Sequence, residues 1–251
     1  MLKVENVETY GWEAAIRGMR NPMNSWDKSD SLFRDYVNDF GDIEAHDILG
    51  NDEYVFAGDC PSLDKGQKGF ILGINDIELM EKLARAGSEH SKFRRMITVT
   101  MDITAPLYWW KEFDTYKVGT VANSCSTMHK IAAKEFELDD FSHEHLSNKE
   151  VEVTWDGQKY VDSAHDGLYD IVGLLNTYRD LFLKTNAKDY WWQMIQLLPS
   201  SYNQKRTVQL NYEVLAHIYQ QRKNHKLDEW HTFCNSFANL PYAVDLIYME
   251  G

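Results

Sequence analysis

No apolar run in the chain approaches the ~18 residues that a membrane-spanning helix needs. The opening segment, MLKVENVETYGWEA, also lacks the apolar core of a secretion signal. A soluble cytoplasmic protein is therefore expected. Cysteine is scarce: Cys60, Cys125 and Cys234 are odd in number, and no two form a Cys-x-x-Cys pair. That excludes a disulfide scaffold and fits a reducing compartment. Positive charge is in deficit, with 26 Lys and Arg against 39 Asp and Glu and a net charge of −13. Polymeric nucleic acid and anionic membranes need basic surface, so neither is an expected partner. A local basic pocket for a mononucleotide remains compatible. Gly58, Gly66, Gly69 and Gly73 form neither GxGxxG nor GxxxxGK[ST], so no phosphate loop is assigned. With no internal repeat, low-complexity tract or linker, residues 1–251 read as one domain, long enough for a sizeable core.

What is present centres on Met96 to His129. From Met96 to Thr104, Ile97, Val99, Met101 and Ile103 alternate with Thr98, Thr100, Asp102 and Thr104, the period of a half-buried strand. Pro106 ends that strand, because it cannot donate to a ladder and suits a first helical turn. A short helix is predicted from Leu107 to Lys117, bearing Tyr108, Trp109, Trp110 and Phe113. Val118 to His129 then turns small and polar, as suits a ligand loop better than a core.

Elsewhere, helical spacing predicts helices over 9–20, 77–86, 168–183, 191–198 and 227–238. Asp76 reads as the N-cap of the second and Gly87 as its C′ residue. A helical pattern also starts at Asn203 or Thr207 and runs through Leu210, Val214, Leu215, Ile218 and Tyr219. A loop and a short helix through Tyr36 and Val37 are predicted after Asn21, where caps and packing account for Ser25, Trp26 and Ser29. Glu150 to Trp155 and Lys159 to Val161 flank Asp156-Gly157, a hairpin signal. The polar stretch Lys130 to Lys149 reads as a solvated loop. His143, Glu144 and His145 lie within it without a third suitably spaced ligand, so no metal is assigned. Cys125 reads as a small buried thiol rather than a nucleophile. Together these elements give an α+β fold, a mostly antiparallel sheet packed by helices.

The central stretch resembles the signature region of the flavin-dependent thymidylate synthases. In that family an Ala-Pro strand end leads through an aromatic helix to Arg-His-Arg, then to Ser-x-Asn-Glu-x-Ser-x-Arg. Here Ala105-Pro106 takes the Ala-Pro, and Thr115, Tyr116 and Lys117 occupy the triplet. With one residue inserted, Asn123 and Ser126 match the loop's Asn and second Ser, and Met128 stands at its arginine. Upstream, Gly87, Glu89 and Phe93 fit a Gly-His-Glu-x-x-x-Phe helix end, with Arg94 where the family tends to carry an acid. Downstream, Leu198-Pro199 aligns with a Leu-Pro, and Asn211, Leu215 and Arg222 then fall in register. Glu213 replaces a family Arg, His217 replaces an Asn, and Ile195 stands at a further arginine. The likeness runs from Leu79 to Trp230.

The resemblance implies an enzyme that methylates dUMP, or a related pyrimidine nucleotide, with methylenetetrahydrofolate, FAD and NADPH. The alternative is a non-catalytic protein on the same scaffold that binds or sequesters a nucleotide. It implies flavin contacts from Thr115, Tyr116, Lys117, Asn123, Asn211 and His217. Nucleotide contacts are implied for Ser124, Ser126, His129 and Arg222, and Asn123, Ser126 and Arg222 are expected to converge. In the family the flavin sits between subunits, so a homotetramer or dimer is implied. The aromatic run Tyr108 to Phe113 points the same way, since it exceeds what one short helix usually buries.

Overall fold

The computed structural model describes residues 2–35 and 68–249. The architecture is α+β, as the patterning predicts. Along the chain, β1 (Lys3–Tyr10) leads into α1 (Trp12–Arg20), and β2 (Leu32–Asp35) precedes β3 (Lys68–Ile71) and α2 (Ile74–Arg85). Then come β4 (Thr98–Pro106), α3 (Leu107–Phe113), β5 (Val121–Ser124) and α4 (Thr127–Lys130). The hairpin of β6 (Val151–Trp155) and β7 (Gln158–Asp162) precedes α5 (Ala164–Thr185) and α6 (Lys188–Leu197). β8 (Asn203–Asn211), α7 (Tyr212–Arg222), α8 (Asp228–Ser236) and α9 (Ala243–Leu246) follow. Among the described residues no helix is long and apolar enough to cross a membrane.

The main sheet has the order β1-β4-β8-β5, and β2 pairs with β3 and β6 with β7, both antiparallel. Asn6 Nδ2 donates to Asp102 at 2.9 Å, and Thr100 Oγ1 to Glu8 at 3.3 Å. One index rises as the other falls, so β1 and β4 run in opposite senses. The same holds for β4 and β8, where Thr207 Oγ1 donates to Asp102 at 2.6 Å and Tyr212 N to Ile97 O at 3.1 Å. Ile97, Val99, Met101, Ile103 and Ala105 are at most 1% exposed, while Thr98, Thr100, Asp102 and Thr104 are half-buried. Burying each large side chain of that row contributes roughly 1.5–3 kcal/mol. Asp102 accepts from both neighbouring strands, which ties the polar face across three strands.

The chain divides into two compact units: residues 1–3, 103–115 and 123–206 form the first, and 4–102, 116–122 and 207–251 the second. In the first, α5 and α6 bury Leu168, Val172, Leu175 and Met194 against Ile131, Ala132, Phe136 and Phe141. Ser163 caps α5, its hydroxyl accepting from Asp166 N, and Asn186 ends it in the left-handed region. The β6–β7 turn has Asp156 at φ 50° and Gly157 at φ 73°, the two positive values a type I′ turn requires. In the second unit, Trp12 stacks on Phe70 at 4.8 Å and meets Tyr212 edge-on at 5.2 Å. Gly11 (φ 89°) is obligatory there, because a Cβ would lie 2.1 Å from the Met96 carbonyl oxygen.

Several expectations are corrected. Residues 203–211 form strand β8, not helix. Their period-two burial at Gln204, Val208 and Leu210 is obscured because the helical spacing of α7 extends backwards through Leu210. The first helix starts at Trp12, after a strand that paired polar and apolar residues too irregularly to stand out. The aromatic helix ends at Phe113 rather than Lys117. The polar stretch after Val118 contains strand β5 and one helical turn. Lys130 to Lys149 is not simply solvated, since its four apolar residues named above enter the core of the first unit. Trp109, Trp110 and Phe113 are at most 1% exposed and pack on one another at 4.9–5.2 Å. They therefore offer no exposed aromatic surface to a partner. Tyr36, Val37, Gly58, Cys60 and Gly66 lie outside the described residues.

Asp76 is not the cap of α2 either. Gly73 holds the N-cap position, and the Asp30 carboxylate accepts from the N–H groups of Asn75 at 3.0 Å and Asp76 at 3.2 Å. Asp76 sits in the first turn with a fully buried side chain, 2.6 Å from Arg20 Nε, whose side chain is 4% exposed. Ser29 and Ser31 hydroxyls donate to the same carboxylate at 2.7 and 2.6 Å. Arg20 Nη1 reaches Ser25 O at 3.2 Å, so the loop of Ser25 and Ser29 wraps an ion pair. Burial alone would raise the Asp76 carboxyl, but hydrogen bonds from Ser31, Ser29 and Arg20, with the Arg20 charge, hold it below its ordinary value.

Candidate functional site

The two groups of residues singled out in the sequence occupy different surroundings. In the second unit, Tyr116 is buried while Lys117 and His217 are exposed. The Tyr116 hydroxyl donates to Gln221 Oε1 at 2.9 Å and accepts from Arg222 Nε at 2.8 Å. The Arg222 guanidinium lies 4.8 Å from the Trp230 ring centre, and Tyr116 meets Trp230 and His217 edge-on at 5.9 and 6.2 Å. Burial pushes the nearby Cys234 thiol up to about 12, against a smaller lowering by Arg222. Asn211 is buried as the N-cap of α7, its oxygen accepting from Val214 N at 3.1 Å. Gly119, at φ 77°, approaches so closely that a Cβ there would lie 2.9 Å from Asn211 Nδ2. Beside it, Thr120 Oγ1 is buried with no hydrogen-bond partner among the described residues.

Arg222 is half-buried, held by these aromatic and hydroxyl contacts. Arg222→Ala is expected to lower the unfolding free energy by about 1–2 kcal/mol without ligand, through loss of its stacking on Tyr116 and Trp230 and of its hydrogen bond to the Tyr116 hydroxyl. Urea unfolding checks this. An unchanged midpoint would show that these contacts contribute nothing.

In the first unit, Thr115 is exposed, its hydroxyl donating to Glu112 O at 2.7 Å. All four residues of β5, Asn123 and Ser124 among them, are exposed. Cys125 is exposed too, contrary to expectation, and its N–H donates to Lys205 O at 2.9 Å. The Ser126 hydroxyl accepts from His129 N at 3.1 Å and so caps α4. Trp191 Nε1 donates to Met128 O at 3.1 Å, fixing the indole against that turn. A cleft of about 380 Å³ opens beside it, lined by Met128, His129, Phe182, Asn186, Lys188 and Trp191 among others. Ile195, at a family arginine position, instead packs on the core of this unit. Trp191 and Lys188, which line this cleft, are not singled out by the sequence. The helical spacing of Trp191 with Ile195 and Leu198 marks it as core, and Lys188 carries no motif.

Solved structures similar in fold include two of flavin-dependent thymidylate synthase ThyX from Helicobacter pylori, each complexed with FAD and dUMP. Both have a TM-score of 0.60 and 16% identity, over 97% and 98% of this chain and 97% of each relative. The fold is that of the flavin-dependent thymidylate synthases. No family model matches the chain, and no curated protein matches it.

On the flavin-dependent thymidylate synthase fold, two departures from the sequence pattern answer each other. Arg94 stands where an acid was expected and Glu213 where an arginine was expected. Arg94 Nε and Nη2 reach Glu213 Oε2 at 2.8 and 2.7 Å, and Ser91 Oγ donates to the same oxygen at 3.1 Å. Arg94 Nη1 donates to Leu246 O at 3.0 Å. The signs are exchanged and the two residues are joined, so neither departure leaves a buried charge unpaired. Arg206 is held by Asp114 at 2.7 Å and lies over Trp110 at 4.2 Å. Arg95 and Lys130 are exposed.

Proposed function

We propose that the chain is a flavin-dependent enzyme of thymidylate-synthase type. It would transfer a one-carbon unit from methylenetetrahydrofolate to dUMP, or a related pyrimidine nucleotide, with FAD as cofactor and NADPH as reductant. The observation that carries this is a likeness spanning nearly the whole chain to structures complexed with FAD and dUMP. The residues present fit a flavin. Lys117 keeps an exposed cation at the triplet, His217 is exposed, and Thr120 holds a buried hydroxyl with no partner among the described residues. Tyr116, Lys117, Asn211 and His217 are proposed to bind it, Lys117 meeting anionic oxygens as a point charge. Thr115 and Asn123 complete the set drawn from the resemblance. When bound, FAD supplies the hydride, while the protein binds, orients and excludes water.

For the nucleotide, Ser124, Ser126 and His129 are the proposed contacts in the first unit, with Arg222 the further residue implied by the resemblance. Ser126 donates or accepts a hydrogen bond; it is not a nucleophile in this scheme. A homotetramer or dimer in the cytoplasm belongs to the same reading. The test is a reaction of the purified protein with dUMP, methylenetetrahydrofolate, FAD and NADPH, scored for dTMP by chromatography. Product that depends on all four components is expected. Tight dUMP and FAD binding without product would establish the non-catalytic alternative.

A further inference from the structure

We propose that the cleft of the first unit seats a nucleoside monophosphate, its base against Trp191 and its phosphate toward Lys188 and His129. The proposal rests on the nucleotide reading above and adds a place and two residues to it. The cleft holds about 380 Å³, within the range of small-ligand sites and near its lower end. That suits a mononucleotide and not a dinucleotide. Its walls divide chemically. Met128, Ile131, Ala132 and Phe182 are apolar, and the half-buried Trp191 indole adds a flat aromatic surface. The bond from Trp191 Nε1 to Met128 O holds that ring in place before any ligand arrives.

Opposite chemistry lies at the rim. Lys188 is exposed, with its ammonium 5.7 Å from the Trp192 ring centre, and His129 is exposed, its ring making no hydrogen bond among the described residues. Lys188 is also the first residue of α6, whose positive pole adds to its charge. In a chain of net charge −13, a cation and an imidazole beside one aromatic-walled cleft form a local site for a flat ring with an anionic tail. Neither position 128 nor position 195 carries an arginine here, and Lys188 supplies the anion partner on α6 itself.

Titration calorimetry with dUMP, deoxyuridine and inorganic phosphate, on the full chain and two variants, tests this. Wild type is expected to bind dUMP and quench tryptophan fluorescence, with deoxyuridine at least about tenfold weaker, the worth of one charge-assisted hydrogen bond. Lys188→Gln should weaken dUMP about tenfold and leave deoxyuridine unchanged. Met128→Trp, a change at a half-exposed lining position, should fill the cleft and weaken both. Circular dichroism confirms that the variants are folded. If dUMP binds wild type and both variants equally, the cleft assignment is wrong while the nucleotide reading stands. If wild type binds neither dUMP nor deoxyuridine, both fail. Phosphate alone binding as tightly as dUMP would also overturn the proposal, because the indole would then contribute nothing.

Discussion

Asp76→Ala is expected to destabilise the unliganded protein by about 3–5 kcal/mol, the cost of leaving one partner of a buried ion pair uncompensated. The Arg20 guanidinium, 4% exposed, would lose its only carboxylate within hydrogen-bonding distance among the described residues, and Ser29 and Ser31 would lose their acceptor. Removing both charges, as in Arg20→Met with Asp76→Leu, should recover part of that loss, because no ion is then stranded. The pair also sets an acid limit. Its folded-state carboxyl lies below the ordinary value, so its stabilisation is complete above the unfolded value of about 3.9 and disappears as pH falls through the folded value. Wild type should thus lose stability below about pH 4 more steeply than Asp76→Asn. Parallel acid slopes in urea unfolding would contradict this.

The exchanged pair is the second large effect. Arg94→Glu sets two carboxylates against each other where the side chains are 11% and 20% exposed, and should cost about 3 kcal/mol or more. Glu213→Arg should cost a similar amount. The double reversal restores opposite signs and should cost less than the sum of the two single losses, by a coupling of at least about 1 kcal/mol. Additive losses would mean that the sign exchange is not a linked compensation.

These two pairs also mark where the sequence stops being legible. The alternation of β4, the turn at Asp156-Gly157 and the long face of α5 are local signals, and each element forms where its period predicts. Asp76 misleads because an aspartate near a helix start looks the same whether it caps or pairs. Its partner lies 56 residues away, and nothing local marks it. Arg94 and Glu213, 119 apart, read singly as departures and only together as a pair. β8 is lost to the periodicity of the helix that follows it. At the candidate site, the exposure of Asn123, Ser124, Ser126 and His129 fits the polar composition that suggested a ligand loop. The commitment of Tyr116 and Arg222 to each other was not foreseen, since aromatic and guanidinium contacts across 106 residues leave no motif.

The proposed flavin binding is decided by titrating FAD into the purified full chain, followed by flavin fluorescence and visible absorption, with Lys117→Ala in parallel. Saturable binding with a perturbed flavin spectrum is expected, weakened at least about tenfold when the triplet's remaining cation is removed. An unperturbed spectrum and no saturation at millimolar FAD would contradict it.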